Sequence, residues 1–147
     1  KDENGFVRLT VSSKIRIKPI FYFYRGTELT YTAIIKKSNL IRFKFDISNT
    51  DGIQIATIIE KPIFEKKTIF REYSIEIGTE VFNVKYEIVN RSFTIKNLSN
   101  TIVVQGRLVS PLIKNIFNFK KYKVDFYKNE FPEELWMAIV FGIFTLE

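Results

Sequence analysis

Near the C-terminal end stand ten consecutive apolar residues, Leu135-Trp136-Met137-Ala138-Ile139-Val140-Phe141-Gly142-Ile143-Phe144, preceded by Phe131-Pro132-Glu133-Glu134. The acidic residues suit the positive end of a helix dipole. Proline suits a first turn, where its missing N–H costs nothing. A helix over 132–146 is therefore expected. A helix that is apolar on every side must be surrounded on every side, by lipid or by protein. The run is about half of the ~20 residues that a bilayer core requires, which favours a helix buried in protein. Gly142 inside it would let a strand approach closely.

What precedes the helix reads as β-structure. Period-2 alternation dominates residues 6–127: Lys14-Ile15-Arg16-Ile17-Lys18, Arg42-Phe43-Lys44-Phe45-Asp46-Ile47, Ile75-Glu76-Ile77, Phe82-Asn83-Val84-Lys85-Tyr86, Phe93-Thr94-Ile95-Lys96 and Lys123-Val124-Asp125-Phe126. One dry face and one wet face are what an antiparallel sheet around a single core needs. Turn signals separate the runs: Gly26-Thr27, Ser38-Asn39, Asn49-Thr50-Asp51-Gly52, Gly78-Thr79 and Leu98-Ser99-Asn100. Pro62, Pro111 and residues 115–120 mark longer connections. About eleven strands are legible, mostly in hairpin sequence. With no linker or composition shift, residues 1–147 read as one domain. The economical architecture is a mainly β fold, a closed antiparallel barrel rolled around the C-terminal helix, with its interior filled.

The chain has no cysteine and no histidine. That removes disulfides, thiolate metal sites, thiol nucleophiles and the commonest general base. The glycines are dispersed and form no phosphate-binding fingerprint. Carboxylates such as Glu72, Glu76 and Glu87 lie on alternating strands, where solvent exposure is the simpler account than catalysis. The expectation is a non-enzymatic protein without cofactor or metal. The opening Lys1-Asp2-Glu3-Asn4-Gly5 is polar and shows no secretion-signal pattern.

Phe45-Asp46-Ile47 followed by Asp51-Gly52 and Ile55-Ala56-Thr57-Ile58, then Tyr73-Ser74-Ile75-Glu76-Ile77 with Val81-Phe82-Asn83-Val84, form a recurring pattern. Phe93-Thr94-Ile95, Val104-Gln105-Gly106 and Tyr122-Lys123-Val124-Asp125 continue it ahead of the apolar helix. Over residues 39–147 this series resembles the tubby C-terminal-like superfamily, in particular its small bacterial members and the LURP-one-related proteins. The resemblance implies a twelve-stranded barrel around a central hydrophobic helix. It also implies a membrane-linked role, since tubby domains bind phosphoinositide headgroups and phospholipid scramblases share the fold. It carries no headgroup-binding motif onto particular positions of this sequence.

Lys and Arg number 23 against 16 Asp and Glu, for a net charge of +7. Such a surplus favours polyanionic partners. Lys114, Lys120, Lys121 and Lys123 flank the aromatic Phe117-Asn118-Phe119, and further basic residues stand at Lys14, Arg16, Lys18, Lys36-Lys37 and Lys66-Lys67. Basic residues interleaved with aromatics suit an anionic phospholipid surface. They also suit single-stranded nucleic acid, a protein partner, or plain solvation of strand faces. The leading expectation is recognition of a membrane surface or lipid headgroup through Lys114, Lys120, Lys121 and Lys123, by a cytoplasmic protein peripheral at the membrane. The alternative is an interaction module for a protein or nucleic acid with no lipid preference.

Overall fold

The computed structural model describes residues 10–14, 19–37, 42–62, 69–109, 122–127 and 129–146. Its strands are β1 (Thr10–Lys14), β2 (Ile20–Arg25), β3 (Glu28–Lys37), β4 (Phe43–Ser48), β5 (Gln54–Glu60), β6 (Phe70–Ile77), β7 (Glu80–Glu87), β8 (Ser92–Asn97), β9 (Ile102–Leu108) and β10 (Tyr122–Phe126). One helix follows, α1 (Glu133–Leu146). Each strand pairs antiparallel with the next, so the 10-stranded sheet is a meander in chain order. Among the described residues the strands are therefore ten, against about eleven legible in the sequence and the twelve that the resemblance implies. Turns occur where Gly26, Asn49–Gly52, Gly78 and Ser99-Asn100 announce them, whereas Ser38-Asn39 lies outside the described residues.

The register carries one apolar side across the whole sheet. Ala33 lies opposite Ile47, Ile47 opposite Ala56, and Ala56 opposite Ile77. Phe45, Ile58, Ile75 and Phe82 form a second such row. Val84, Ile95, Val104 and Phe126 form a third. A one-residue slip would turn each row to solvent, so the alternation of the sequence fixes the register.

α1 packs on this side. Leu135, Trp136, Ala138, Ile139, Val140, Gly142, Ile143 and Leu146 are buried, and the rest of the helix is half-buried apart from its first residue, Glu133. The half-buried residues Glu134, Met137, Phe141, Phe144 and Thr145 follow one stripe of the helix, and the remaining faces are buried. Phe141 meets Phe21 and Phe23 of β2 and Phe45 of β4 at ring-centroid distances of 5.2, 5.5 and 6.3 Å. Three residues on, Phe144 meets Tyr86 of β7, Phe93 of β8 and Tyr122 of β10 at 6.0, 5.5 and 4.0 Å. Laid flat, β2 and β10 would stand roughly 38 Å apart at ~4.8 Å per strand spacing, whereas a helix is only ~10–12 Å across. Neighbouring rings on one helix reach both strands because the sheet curves around it.

Gly142 shows how closely they fit. A Cβ built there would lie 2.5 Å from Phe45 Cδ1 and 2.6 Å from Ile58 Cδ1. Phe45 is fully buried and its ring cannot swing away. Gly142→Ala should therefore destabilise by ~1–3 kcal/mol through overpacking, although alanine is the better helix former. A lowered midpoint in urea would show the clash outweighing the propensity gain.

The helix start is held by Asn129. Its Oδ1 accepts from the Phe131 backbone N–H at 2.9 Å and from the Trp136 indole Nε1 at 2.7 Å, while its Nδ2 donates to the Tyr127 carbonyl at 2.8 Å. The carbonyl of Pro132 accepts from the N–H groups of Leu135 and Trp136. Pro132 thus sits just ahead of the helix, as a cap, rather than within its first turn. Trp136 is fully buried, with its ring edge-on to Phe82. Asn129→Ala would strand its indole N–H, at an expected cost of ~1–3 kcal/mol, readable as a drop in melting temperature. Glu134 adds an ion pair to Arg25 of β2 at 3.3 Å. Burial pushes the Tyr31 phenol above its ordinary pKa, and the Glu134 carboxylate adds to the rise. The folded state thus favours the protonated phenol, a contribution present at neutral pH and lost as pH climbs through the raised value.

Candidate interaction surface

Antiparallel meandering sorts the connections into two ends. The turns 26–27, 49–53, 78–79 and 98–101 all lie at one end, the turn end, with the start of α1. The strand ends at Lys14, Ile20, Lys37, Phe43, Glu60, Phe70, Glu87, Ser92, Leu108 and Tyr122 all lie at the other, the loop end, with the turn 88–91 and the finish of α1.

Charge follows the same division. Toward the loop end the described strands and connections carry Lys36, Lys37, Arg42, Lys44, Lys61, Arg71, Lys85, Arg91, Arg107 and Lys123, against Glu60, Glu72 and Glu87. The turn end carries Glu28, Asp51, Glu76, Glu80, Glu130, Glu133 and Glu134, against Arg25 and Lys96. Asp46 and Asp125 sit between. Among the described residues the charges are thus divided between the ends, positive toward the loop end and negative toward the turn end, and the negative end of the helix dipole points to the loop end too.

The loop end also sets like charges against each other. Arg107 of β9 stands directly opposite Lys123 of β10, and both are exposed. Lys36 of β3 stands directly opposite Lys44 of β4. Like charges in directly opposed cross-strand positions destabilise a sheet by a few tenths of a kcal/mol to ~1 kcal/mol. Lys36 is partly compensated by Asp46, 3.2 Å away, whose carboxylate also accepts from the Thr57 hydroxyl at 3.0 Å. Among the described residues, the ion pair of Lys123 is a long contact to Asp125, at 3.8 Å. Elsewhere opposed charges are complementary, as where Glu72 faces Lys85, whose ammonium sits 3.9 Å above the Phe70 ring. The Arg107–Lys123 pair is therefore a place where a bound anion would relieve repulsion. Lys123→Glu should raise the stability of the free protein slightly while weakening its hold on anions, two effects of opposite sign that a melt and a binding titration read separately.

Of the lysines singled out by sequence, Lys123 lies on this surface. Lys114, Lys120 and Lys121 lie outside the described residues; the chain leaves β9 at Leu108 and re-enters the sheet at Tyr122, both at the loop end. Arg107, Arg91 and Lys44 were not singled out. Their signal is the parity of the strand ends, since every connection from an odd to an even strand of a meander falls at the same end.

Apolar side chains interrupt the basic rim: Phe43, Ile69, Ile88, Val89 and Val109 are all exposed there. Among the described residues no group of three or more His, Cys, Asp or Glu is arranged to hold a metal ion, and no helix is long and apolar enough to cross a membrane. Set against protein-family models, curated proteins and solved structures, the chain matches none.

Proposed function

We propose that this chain is a non-enzymatic binding domain that docks its loop end on an anionic phospholipid surface. The observation that carries the reading is the segregation of charge along the strands: a basic rim at one end, an acidic one at the other. A basic side chain near an anionic leaflet contributes ~1 kcal/mol, so a rim of this kind gives attraction and orientation together. Anionic lipid at the cytoplasmic leaflet then makes the protein peripheral at the membrane from the cytoplasmic side.

The same proposal includes the finer architecture: the curved sheet closes into a barrel around α1, in the manner of the tubby C-terminal-like superfamily. Rings of β2 and β10 on neighbouring positions of one helix support closure.

Co-sedimentation with vesicles tests the binding reading. The protein should pellet with phosphatidylserine-containing vesicles and remain in the supernatant with pure phosphatidylcholine. The bound fraction should fall steeply as salt rises past ~0.1 M, where screening acts within about 10 Å. Equal binding to neutral and anionic vesicles would contradict headgroup attraction. Tight binding to single-stranded oligonucleotides with none to vesicles would favour the nucleic-acid alternative.

A further inference from the structure

We infer that the β7–β8 turn is an apolar wedge that enters the boundary between headgroups and acyl chains of an anionic bilayer, so that the protein binds with its loop end down. The inference rests on the binding reading above and adds depth and orientation to it.

The turn is Ile88-Val89-Asn90-Arg91. Turn tips ordinarily carry Gly, Asn, Asp or Ser, and the opposite end of the sheet uses such residues freely. Here Ile88 is 40% and Val89 72% exposed. They are joined on one side by Ile69, whose carbonyl accepts from the Ile88 N–H at 2.9 Å. On the other side Val109 follows Leu108, whose N–H donates to the Arg91 carbonyl at 3.1 Å. The tip is thus tied by backbone hydrogen bonds to both flanking strands and forms the centre of one apolar ridge. Arg91 holds a φ of 47°, a left-handed conformation that a non-glycine residue adopts at a cost.

What would cover this ridge is set by its surroundings. Arg91 belongs to the turn itself, and Arg107 and Lys123 flank it on the adjoining strands. Glu87 stands at the start of the turn, but Arg91, Arg107 and Lys123 outnumber it. Apolar residues flanked by such a cationic excess match the interfacial zone of an anionic bilayer, where aliphatic groups enter below the phosphates and cations remain level with them. Exposed apolar turn residues also stand at the acidic end, Ile53 and Leu98, and that end would be repelled by the same surface; Leu98 is the more exposed of the two. It serves as an internal control.

The experiment uses Val89→Trp and Leu98→Trp in the full chain, with vesicles of phosphatidylcholine and phosphatidylserine whose acyl chains are brominated. The native Trp136 is fully buried and gives both variants the same background. Tryptophan at position 89 should shift to the blue and be quenched by the bromines, while at position 98 it should do neither. A companion Val89→Asp should bind about tenfold more weakly, the value of one buried aliphatic side chain, with an unchanged melting temperature because the site is exposed. Co-sedimentation with no quenching at position 89, or quenching at position 98, would overturn the wedge while leaving surface binding intact. Absence of vesicle binding by the native protein would overturn both.

Discussion

Ile139→Asp should leave the protein unfolded at room temperature. Ile139 has no exposed surface and sits midway along the buried side of the helix. An aspartate there must either ionise without a partner or fold as the neutral acid with its hydroxyl unsatisfied. Breaking a buried charge pair costs ~3–5 kcal/mol because one charge is left uncompensated, and the lost isoleucine packing adds ~2–5 kcal/mol. Domains of this kind have only ~5–15 kcal/mol in total. The loss of a cooperative melt and of near-ultraviolet circular dichroism would be the expected record. A native-like melting temperature would mean that α1 is not enclosed. Ile139→Val, a control that keeps shape and polarity, should cost only ~0.5–1.5 kcal/mol.

The second large effect concerns binding without stability. Lys37→Ser, Arg91→Asn, Arg107→Ser and Lys123→Ser, combined, remove exposed or half-exposed charges from the loop end and leave the buried face untouched. Asparagine is chosen at position 91 because it tolerates the left-handed backbone found there. At ~1 kcal/mol for each charge near an anionic leaflet, the four together should weaken binding to phosphatidylserine vesicles by about a hundredfold or more at low salt. The melting temperature should hold steady or rise slightly, because the Arg107–Lys123 repulsion is gone. Equal loss of affinity and of stability would show that the substitutions acted through the fold instead.

The helix was the most legible part of the sequence, because ten apolar residues between an acidic start and a polar end admit few arrangements. Its first residue is Glu133 and not Pro132, the difference being that Pro132 gives its carbonyl to the first turn without entering it. The strands were legible through alternation, and the inward rows at Phe45-Ile47, Tyr73-Ile75-Ile77 and Phe93-Ile95 are those the pattern names. Alternation misleads at strand ends: Phe43 shares the parity of Phe45 but lies beyond the core and is 40% exposed. It also misses Asp46, which has outward parity yet is buried against Thr57 and Lys36. A polar group with two partners on its own sheet face leaves no mark in a sequence pattern.

The candidate surface was harder to read. Lys123 could be named, because it flanks an aromatic stretch. Arg107 is sixteen positions away and becomes its neighbour only through the register of β9 on β10, after a connection of thirteen residues whose length gives no hint of that register. The gathering of Lys36, Lys37, Arg91 and Arg107 at one end depends on ten strands being joined without a crossover. Net charge in the sequence favours polyanionic partners in general, but only topology shows which of the described charges share an end of the sheet.

The most direct measurement is the affinity for phosphatidylserine vesicles as a function of salt, made in parallel on the native protein and on the fourfold loop-end variant. The native affinity should fall steeply with ionic strength, and the variant should start weaker and fall much less, the two converging at high salt as screening removes what the four charges supplied. Parallel salt dependences would contradict the account, because the attraction would then arise somewhere other than the basic end of the sheet.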